Sequence, residues 1–288
     1  MKSGSREYYK TFSKRPGDDK HHRVNCPLCA SEKSRLVFDC SEFFFEKCLN
    51  CGLIFQNPRP EQETLIDRYD EEYFNYERDG EKSFFDLMLK GLDDARFFRN
   101  RPEPGSNTFL DIGCAAGILN EYLEKQGWKT TGLEICRASA EYGINNRKLD
   151  IRINTLEKES FPGSSFSFVH SSHVIEHIAD PRSFVREIYR ILKPGGTAFI
   201  VTPNAAGLQA RIYRKNWRLC IADHVILFSK KTLKRLLTEE GFRPVCVKTW
   251  GGLTREAGHP VLKRILDPLS KKWGFGDVVL IAAQKPKA

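Results

Sequence analysis

Apolar and polar positions follow two different periods along most of this chain. Beyond position 107, short apolar runs alternate with segments in which apolar residues recur every three or four positions, the pattern of strands followed by helices. This alternation predicts an α/β domain whose mainly parallel sheet is covered by helices on both faces. The predicted strands span 109–112, 130–134, 151–154, 166–171, 197–202, 243–250 and 277–283. We expect the last two to pair like a hairpin and close the edge of the sheet.

The predicted helices are marked by residues that favour helix ends. They span 118–126, 137–146, 181–192 and 231–240. Asp180 can cap the third of them, and Pro181 occupies its first position, where a backbone N–H is not needed. The Lys-Pro-Gly-Gly run at 193–196 then ends this helix before the next strand begins.

The pattern before position 108 divides into three segments. Residues 1–22 are polar and predict a mobile basic tail. Residues 23–60 surround two Cys-x-x-Cys pairs and end in a Pro-rich turn, which predicts a small separate domain. Residues 61–105 have helical spacing and predict a helical linker or lid, and the main domain then spans 106–288. Four aromatic residues of the linker can cover a ligand site or simply pack against the main domain: Tyr69, Tyr73, Phe74 and Tyr76.

The two cysteine pairs have the spacing of a metal site. Cys26 and Cys29 are followed, after 18 intervening residues, by Cys48 and Cys51, the arrangement of four-thiolate zinc sites. A domain of 38 residues buries little apolar surface, so a metal would supply the missing folding free energy. We therefore predict structural Zn²⁺ on these four residues. A redox dithiol and an iron–sulfur site are the alternatives.

A turn of small residues connects the first strand of the main domain to its first helix. Gly113 and Gly117 allow a ligand to approach the backbone closely, as they also would in a dinucleotide-binding domain. Asp111 would repel a pyrophosphate but can face the ammonium group of a methionine moiety. Glu134 ends the next strand, where it can accept both hydroxyls of a ribose. Together these residues favour S-adenosylmethionine over NAD.

Four segments of the chain resemble the class I S-adenosylmethionine-dependent methyltransferases. They are LDIGCAAG at 110–117, TGLEI at 131–135, HVIEHIADP at 173–181 and REIYRILKPGGTAFIVTPN at 186–204. The resemblance implies a Rossmann-like sheet of seven strands whose last strand is antiparallel. It also implies S-adenosyl-L-methionine as the methyl donor. The sequence departs from the family pattern at Ala115, where a positive φ would cost about 1 kcal/mol.

The resemblance also assigns residues to the cofactor. Those bordering the methionine part are Asp111, Gly113, Cys114 and Gly117, and Glu134 binds the ribose. Thr155 and Leu156 flank the adenine, and Ser172 and His173 line its other side.

The five residues from His173 to His177 match the zinc-protease pattern H-x-x-E-H. That pattern requires a helix that presents both histidines to one metal, whereas here it follows a strand and precedes a helix cap. We therefore do not predict a protease. Methyl transfer to oxygen or nitrogen gains from a general base, which makes His177 the first candidate and His224 the second. A hydrogen-bonded structural role is the alternative for each histidine.

The acceptor pocket is expected to include residues 205–228, because ligands bind at the carboxyl ends of strands in such sheets. This segment contains Trp217, Asp223, His224 and Phe228. The run CxxCGxxFxxPRP at 48–60 resembles the ribbon that precedes many bacterial methyltransferases of sugars, polysaccharides and secondary metabolites. That likeness implies a small-molecule or glycan acceptor.

Charge and hydropathy narrow the range of partners. The net charge is +9, but residues 1–23 and 261–288 together contribute +8, so the middle of the chain is nearly neutral. A nucleic-acid enzyme would more often carry a basic stripe around its site. The sequence contains no apolar run long enough for a membrane span and no signal-peptide pattern, which together predict a cytoplasmic protein.

These observations leave three functions open. The leading prediction is a methyltransferase that acts on an oxygen or nitrogen of a small molecule or saccharide. The second is an RNA methyltransferase that grips nucleic acid with its zinc ribbon and basic ends. The third is a non-catalytic module that keeps the fold but lacks turnover.

Overall fold

The computed structural model describes residues 21–61, 69, 71–99, 108–251 and 273–287. The predicted basic tail therefore lies outside the described residues, apart from His21 and His22. The part of the chain that is described contains no helix long and apolar enough to cross a membrane.

The five N-terminal strands all pair antiparallel. They are β1 (His21–His22), β2 (Ser34–Asp39), β3 (Phe44–Cys48), β4 (Ile54–Gln56) and β5 (Arg59–Pro60). Strands β2, β3 and β4 are neighbours in that order, while β1 pairs with β5 separately. We call residues 21–60 the ribbon.

The main domain is built on a second, larger sheet. Its strands are β6 (Thr108–Ile112), β7 (Lys129–Glu134), β8 (Ile151–Ile153), β9 (Phe166–Ser172), β10 (Leu192–Pro203), β12 (Arg243–Trp250) and β13 (Val278–Gln284). The order across the sheet is β12-β13-β10-β9-β6-β7-β8. Neighbours from β10 to β8 are parallel, and β13 is antiparallel to both β10 and β12. The prediction of a seven-stranded sheet with an antiparallel last strand is confirmed.

The two late strands lie at the edge of the sheet, as predicted. They pair antiparallel and together close one edge of the sheet, with β13 between β10 and β12. The first six residues of β13 are apolar and buried, which suits a strand covered on both faces. Strand β12 carries Arg243 and Lys248 and forms the edge, where charged residues discourage pairing with other chains.

Helices cover both faces of the large sheet. They are α1 (Glu71–Asp94), α2 (Ile118–Glu124), α3 (Arg137–Arg147), α4 (Leu156–Glu159), α5 (Pro181–Ile191), α6 (Leu208–Tyr213) and α7 (Lys230–Glu239), with short 3₁₀ helices at Phe97–Arg99, Ile175–His177 and Arg214–Asn216. Asp180 caps α5 as predicted, since its side chain accepts from the backbone N–H groups of Arg182 and Ser183. The apolar residues of α5 and α7 share one core cluster, and those of α1 and α2 share another.

The ribbon is continuous with the main domain. Its strand β4 pairs with β11 (Ile226–Leu227), so the small sheet runs β11-β4-β3-β2 and includes a strand from the second half of the chain. Leu28 and Phe55 of the ribbon belong to the same core cluster as α5 and α7. Arg182 of α5 also donates to the Leu28 carbonyl. Because of these contacts, the ribbon is fixed against the domain that it precedes.

Candidate functional site

The predicted small-residue turn lies at the carboxyl end of β6. Gly113, Ala115 and Gly117 all have positive φ values, of 72°, 49° and 75°. A Cβ atom on Gly113 would lie 2.4 Å from Cγ2 of Val174, so the loop that follows β9 packs directly against this turn. The turn and that loop therefore form adjoining walls at the carboxyl end of the sheet.

Ala115 adopts the left-handed conformation, with a φ of 49°. A residue with a Cβ pays about 1 kcal/mol there, whereas glycine does not. We expect Ala115→Gly to raise the free energy of unfolding by about 1 kcal/mol, as measured by urea denaturation. Ala140 is a matched control because it is buried inside α3, where Ala140→Gly should destabilise the protein. If both variants were less stable than the wild type, the backbone of Ala115 would not be strained.

Glu134 joins the turn to the end of β7. Its carboxylate accepts hydrogen bonds from the backbone N–H groups of Ala115 at 2.9 Å and of Ile135 and Cys136 at 2.8 Å each. Burial raises the pKa of Glu134, and these three N–H groups oppose the rise. A carboxylate has about four acceptor positions, so this side chain can still accept from a ligand hydroxyl.

Asp111 is paired with a histidine that the sequence did not reveal. His170, on the neighbouring strand β9, lies opposite Asp111 in the parallel register, and its Nδ1 is 2.7 Å from Asp111 Oδ1. Because a carboxylate accepts, Nδ1–H is the donor. Both residues are buried, and Asp111 Oδ2 has no hydrogen-bond partner. That buried oxygen is a fitting partner for the ammonium group of a methionine moiety.

The remaining residues predicted for the cofactor lie at the ends of neighbouring strands. Cys114 is buried in the turn, and Ser172 ends β9. Thr155 follows β8 and precedes α4, whereas the Leu156 side chain is buried in the main core. His173 has a φ of 57°, and its Nδ1 is 3.1 Å from Oε1 of Glu176. Their roles remain predictions.

The H-x-x-E-H residues meet His224, although they do not lie on an α-helix. Glu176, His177 and His224 offer ligand atoms that all lie within 4.8 Å of one another, a group able to hold a metal ion. The two imidazole rings are 4.8 Å apart at 74°. His177 Nδ1 donates to the Asp223 carbonyl at 2.9 Å, and His224 Nδ1 donates to the Leu219 carbonyl at 2.8 Å. Both predicted histidines are thus brought together.

Glu176 is the residue of this cluster for which the sequence predicted no role. Its side chain is fully buried and also accepts from the Thr202 hydroxyl at 2.9 Å. Burial alone would raise its pKa, but the hydrogen bond from His173 and the nearby histidines lower the pKa of Glu176 to about 2. Burial and the neighbouring His177 lower the pKa of His224 to about 4. At neutral pH the cluster therefore combines an ionised carboxylate with a neutral His224.

Tyr69 and helix α1 contact elements that carry residues of the candidate site. Tyr69 lies 6.3 Å from the His177 ring. Burial, with the carboxylates of Asp223 and Glu134, raises the pKa of Tyr69 well above its usual range. In α1, Glu77 accepts from the Ser139 hydroxyl at 2.6 Å. The linker segment thus contacts His177 through Tyr69 and helix α3 through Glu77, and its role as a lid stays a prediction.

The protonation of Glu77 provides a test of this arrangement. Burial, and then the charge of Glu134, raise the pKa of Glu77 from 4.5 to about 8. The folded state thus binds this proton more tightly than the unfolded state, and the resulting stability is lost as pH rises through 8. When the pH rises from 5.5 to 8.5, we expect the free energy of unfolding of Glu77→Gln to increase by at least about 1 kcal/mol relative to that of the wild type. Urea denaturation at both pH values measures this gain. Glu72→Gln, an exposed change in the same helix, should gain none. If the unfolding free energies of Glu77→Gln and the wild type differed by the same amount at both pH values, Glu77 would not be held protonated beside Glu134.

Only part of the segment predicted for the acceptor pocket faces the histidine cluster. Trp217 and Phe228 are buried in core clusters. The Trp217 indole N–H donates to Asp277 at 2.7 Å, and this bond ties the segment to the residue before β13. Of the four residues named for this pocket, Asp223 and His224 contact His177. Asp223 does so through its backbone carbonyl and His224 through its ring.

The four ribbon cysteines lie close enough to bind a single metal ion. Their Sγ atoms all lie within 4.8 Å of one another. Those of Cys26 and Cys51 are 3.5 Å apart, as are those of Cys29 and Cys48. Tetrahedral zinc with Zn–S bonds of about 2.3 Å separates its sulfur ligands by about 3.8 Å. The set of donors and its spacing therefore fit Zn²⁺.

Comparisons with known proteins agree with this geometry. A family profile described as a methyltransferase domain matches residues 85–247. A ubiquinone biosynthesis O-methyltransferase of Ruegeria pomeroyi is 35% identical over 204 residues, which cover 66% of this chain and 75% of that protein. One from Methylobacterium sp. is 38% identical over 112 residues, covering 36% of this chain and 44% of the relative. This chain spans about two fifths of the first curated relatives that it matches.

Solved structures agree on the fold. An S-adenosylmethionine-dependent methyltransferase of Thermotoga maritima has a TM-score of 0.56 and 24% identity, with 78% of this chain and 100% of that chain covered. One from Archaeoglobus fulgidus has a TM-score of 0.53 and 22% identity, with 74% and 99% covered.

Proposed function

This chain belongs to the methyltransferase-domain family, and we propose that it transfers the methyl group of S-adenosylmethionine to a hydroxyl oxygen of a small molecule. One observation carries the proposal. The loop after β9 touches the cofactor turn through Val174 and brings His177 to His224 and Glu176. A site for a methyl donor and a group able to take a proton therefore adjoin. The names of the relatives support oxygen as the acceptor atom.

Different residues are proposed to bind the different parts of the cofactor. Asp111 would take the ammonium group with its unpartnered oxygen, and Glu134 would accept from the ribose. Thr155 and Leu156 would lie beside the adenine, opposite Ser172 and His173. When bound, the cofactor supplies a methyl group on a positively charged sulfur. Since charge disappears as the methyl group moves, orientation and exclusion of water are the main demands on the protein.

His177 is the proposed general base. Its Nδ1–H is held by the Asp223 carbonyl, so in the neutral ring Nε2 carries the lone pair that can take the proton of the acceptor hydroxyl. The ionised Glu176 nearby would stabilise the imidazolium that results. His224 is buried and neutral, so its proposed role is to orient its neighbour and leave the positive charge on His177.

The ribbon is proposed to hold one Zn²⁺ on Cys26, Cys29, Cys48 and Cys51. Four thiolates complete a tetrahedral site and leave no position for a substrate, so the metal is structural. The packing of the ribbon into the main core supports this role over nucleic-acid binding.

The function is tested in two steps. Calorimetry on zinc-replete protein should detect binding of S-adenosylmethionine and of its demethylated product, but no binding of a nicotinamide dinucleotide. Labelled methyl groups from the cofactor, added with fractionated host extract, should then enter a small-molecule fraction. Label in RNA would overturn the proposed acceptor class, and cofactor binding without any label would overturn the enzymatic proposal.

A further inference from the structure

The ribbon reaches the acceptor side of the site through β4. On one side β4 pairs with β3, where Gln56 lies opposite Phe45, and on the other it pairs with β11. The backbone N–H of Gln56 donates to the Val225 carbonyl at 2.8 Å. The metal-binding half of the ribbon is therefore connected to the segment that carries His224.

The Gln56 side chain makes a second connection to the same segment. It is only 1% exposed, and its Nε2 donates to the Ala222 carbonyl at 2.7 Å and to the His224 carbonyl at 3.2 Å. Since both partners are acceptors, the amide nitrogen must face them, which fixes the orientation of the side chain.

These two carbonyls flank Asp223, whose own carbonyl accepts the His177 Nδ1–H. The position of Asp223 decides whether His177 keeps its lone pair on Nε2. The segment that Gln56 holds is thus also the one that sets the tautomer and direction of the proposed base.

We propose that Gln56 is a positioning residue for methyl transfer, through which the ribbon sets the geometry of His177 and His224. This inference rests on the proposed function. It gives the ribbon a role inside the acceptor site, beyond supporting the fold. A displacement of about 1 Å in a reacting group can cost about 100-fold in rate, so loss of this anchor should be visible in catalysis.

The test uses the full-length, zinc-loaded protein. Gln56→Leu removes the donor at similar size, and Gln56→Asn keeps an amide that is too short to reach. Gln284→Leu is the matched control, because Gln284 Nε2 also donates to a carbonyl, that of Gly195 at 3.0 Å, outside the histidine cluster. The readouts are the imidazole ¹⁵N shifts of His177, the cofactor affinity, and kcat and KM for the acceptor.

We expect both Gln56 variants to shift the His177 ¹⁵N resonances away from the Nδ1–H pattern and to lower kcat at least about tenfold. Cofactor affinity should stay within about twofold, and Gln284→Leu should match the wild type. Unchanged ¹⁵N shifts in a folded Gln56 variant would overturn the inference, and so would equal kcat losses in Gln56→Leu and Gln284→Leu. Should the wild type transfer no methyl group, the proposed function fails, while the ¹⁵N shifts still decide the role of Gln56.

Discussion

Replacing His177 by glutamine is expected to lower kcat by about 100- to 10,000-fold while cofactor affinity stays within about twofold of the wild type. Glutamine has about the reach of the imidazole, although its amide lies on the Nε2 side and does not reproduce the Nδ1–H that donates to the Asp223 carbonyl. Its oxygen, however, cannot take a proton at neutral pH. The substitution therefore removes the basic nitrogen and keeps a neutral polar side chain of similar length.

The pH dependence separates a base from a merely structural histidine. A general base acts only in its unprotonated form, so the wild-type kcat should depend on pH, and in His177→Gln this dependence should be absent. His21→Gln is the matched control, because His21 is exposed and lies in the ribbon strand β1. A folded His177→Gln protein that keeps kcat within about threefold of wild type, with the same pH profile, would rule out His177 as the base.

The sequence was most informative where chemistry and local structure coincide in one segment. The run from Phe109 to Gly117 specifies a buried strand, a left-handed turn and a helix start, and all three are present. The four cysteines likewise meet as their spacing predicts. In both cases the residues that must come together lie in tight turns, or in two turns joined by a short hairpin.

Residues that depend on pairing between distant strands could not be found in this way. His170 reaches Asp111 only because β9 and β6 are neighbours in one particular register. Gln56 contacts residues more than 160 positions away, through pairing with β11, a strand of two residues that has no detectable period. Glu176 was visible within H-x-x-E-H, but only its burial next to His177 shows that its charge bears on the proposed base.

Loss of the Zn²⁺ that we propose for the ribbon should be the most destabilising single change, because the ribbon supplies part of the main core. Cys48→Ser removes one of four ligands and is expected to lower the free energy of unfolding by more than about 4 kcal/mol. Leu53 and Phe55, which follow Cys48 in the ribbon and are buried in that core, would then lose their support. Chelation of the metal should have the same effect, and one equivalent of Zn²⁺ should restore the transition.

Cys246→Ser is the matched control for the metal prediction, because Cys246 is a partly buried thiol outside the cluster. Urea denaturation together with metal analysis measures both effects, and the wild type should contain one zinc ion per chain. If Cys48→Ser were as stable as Cys246→Ser, the thiols would be ordinary core residues. Their 3.5 Å contacts would then reflect packing alone. A large loss confined to Cys48→Ser would instead mean that the metal holds β3 and β4 in place, and with them the pairing of β4 to β11 beside His224.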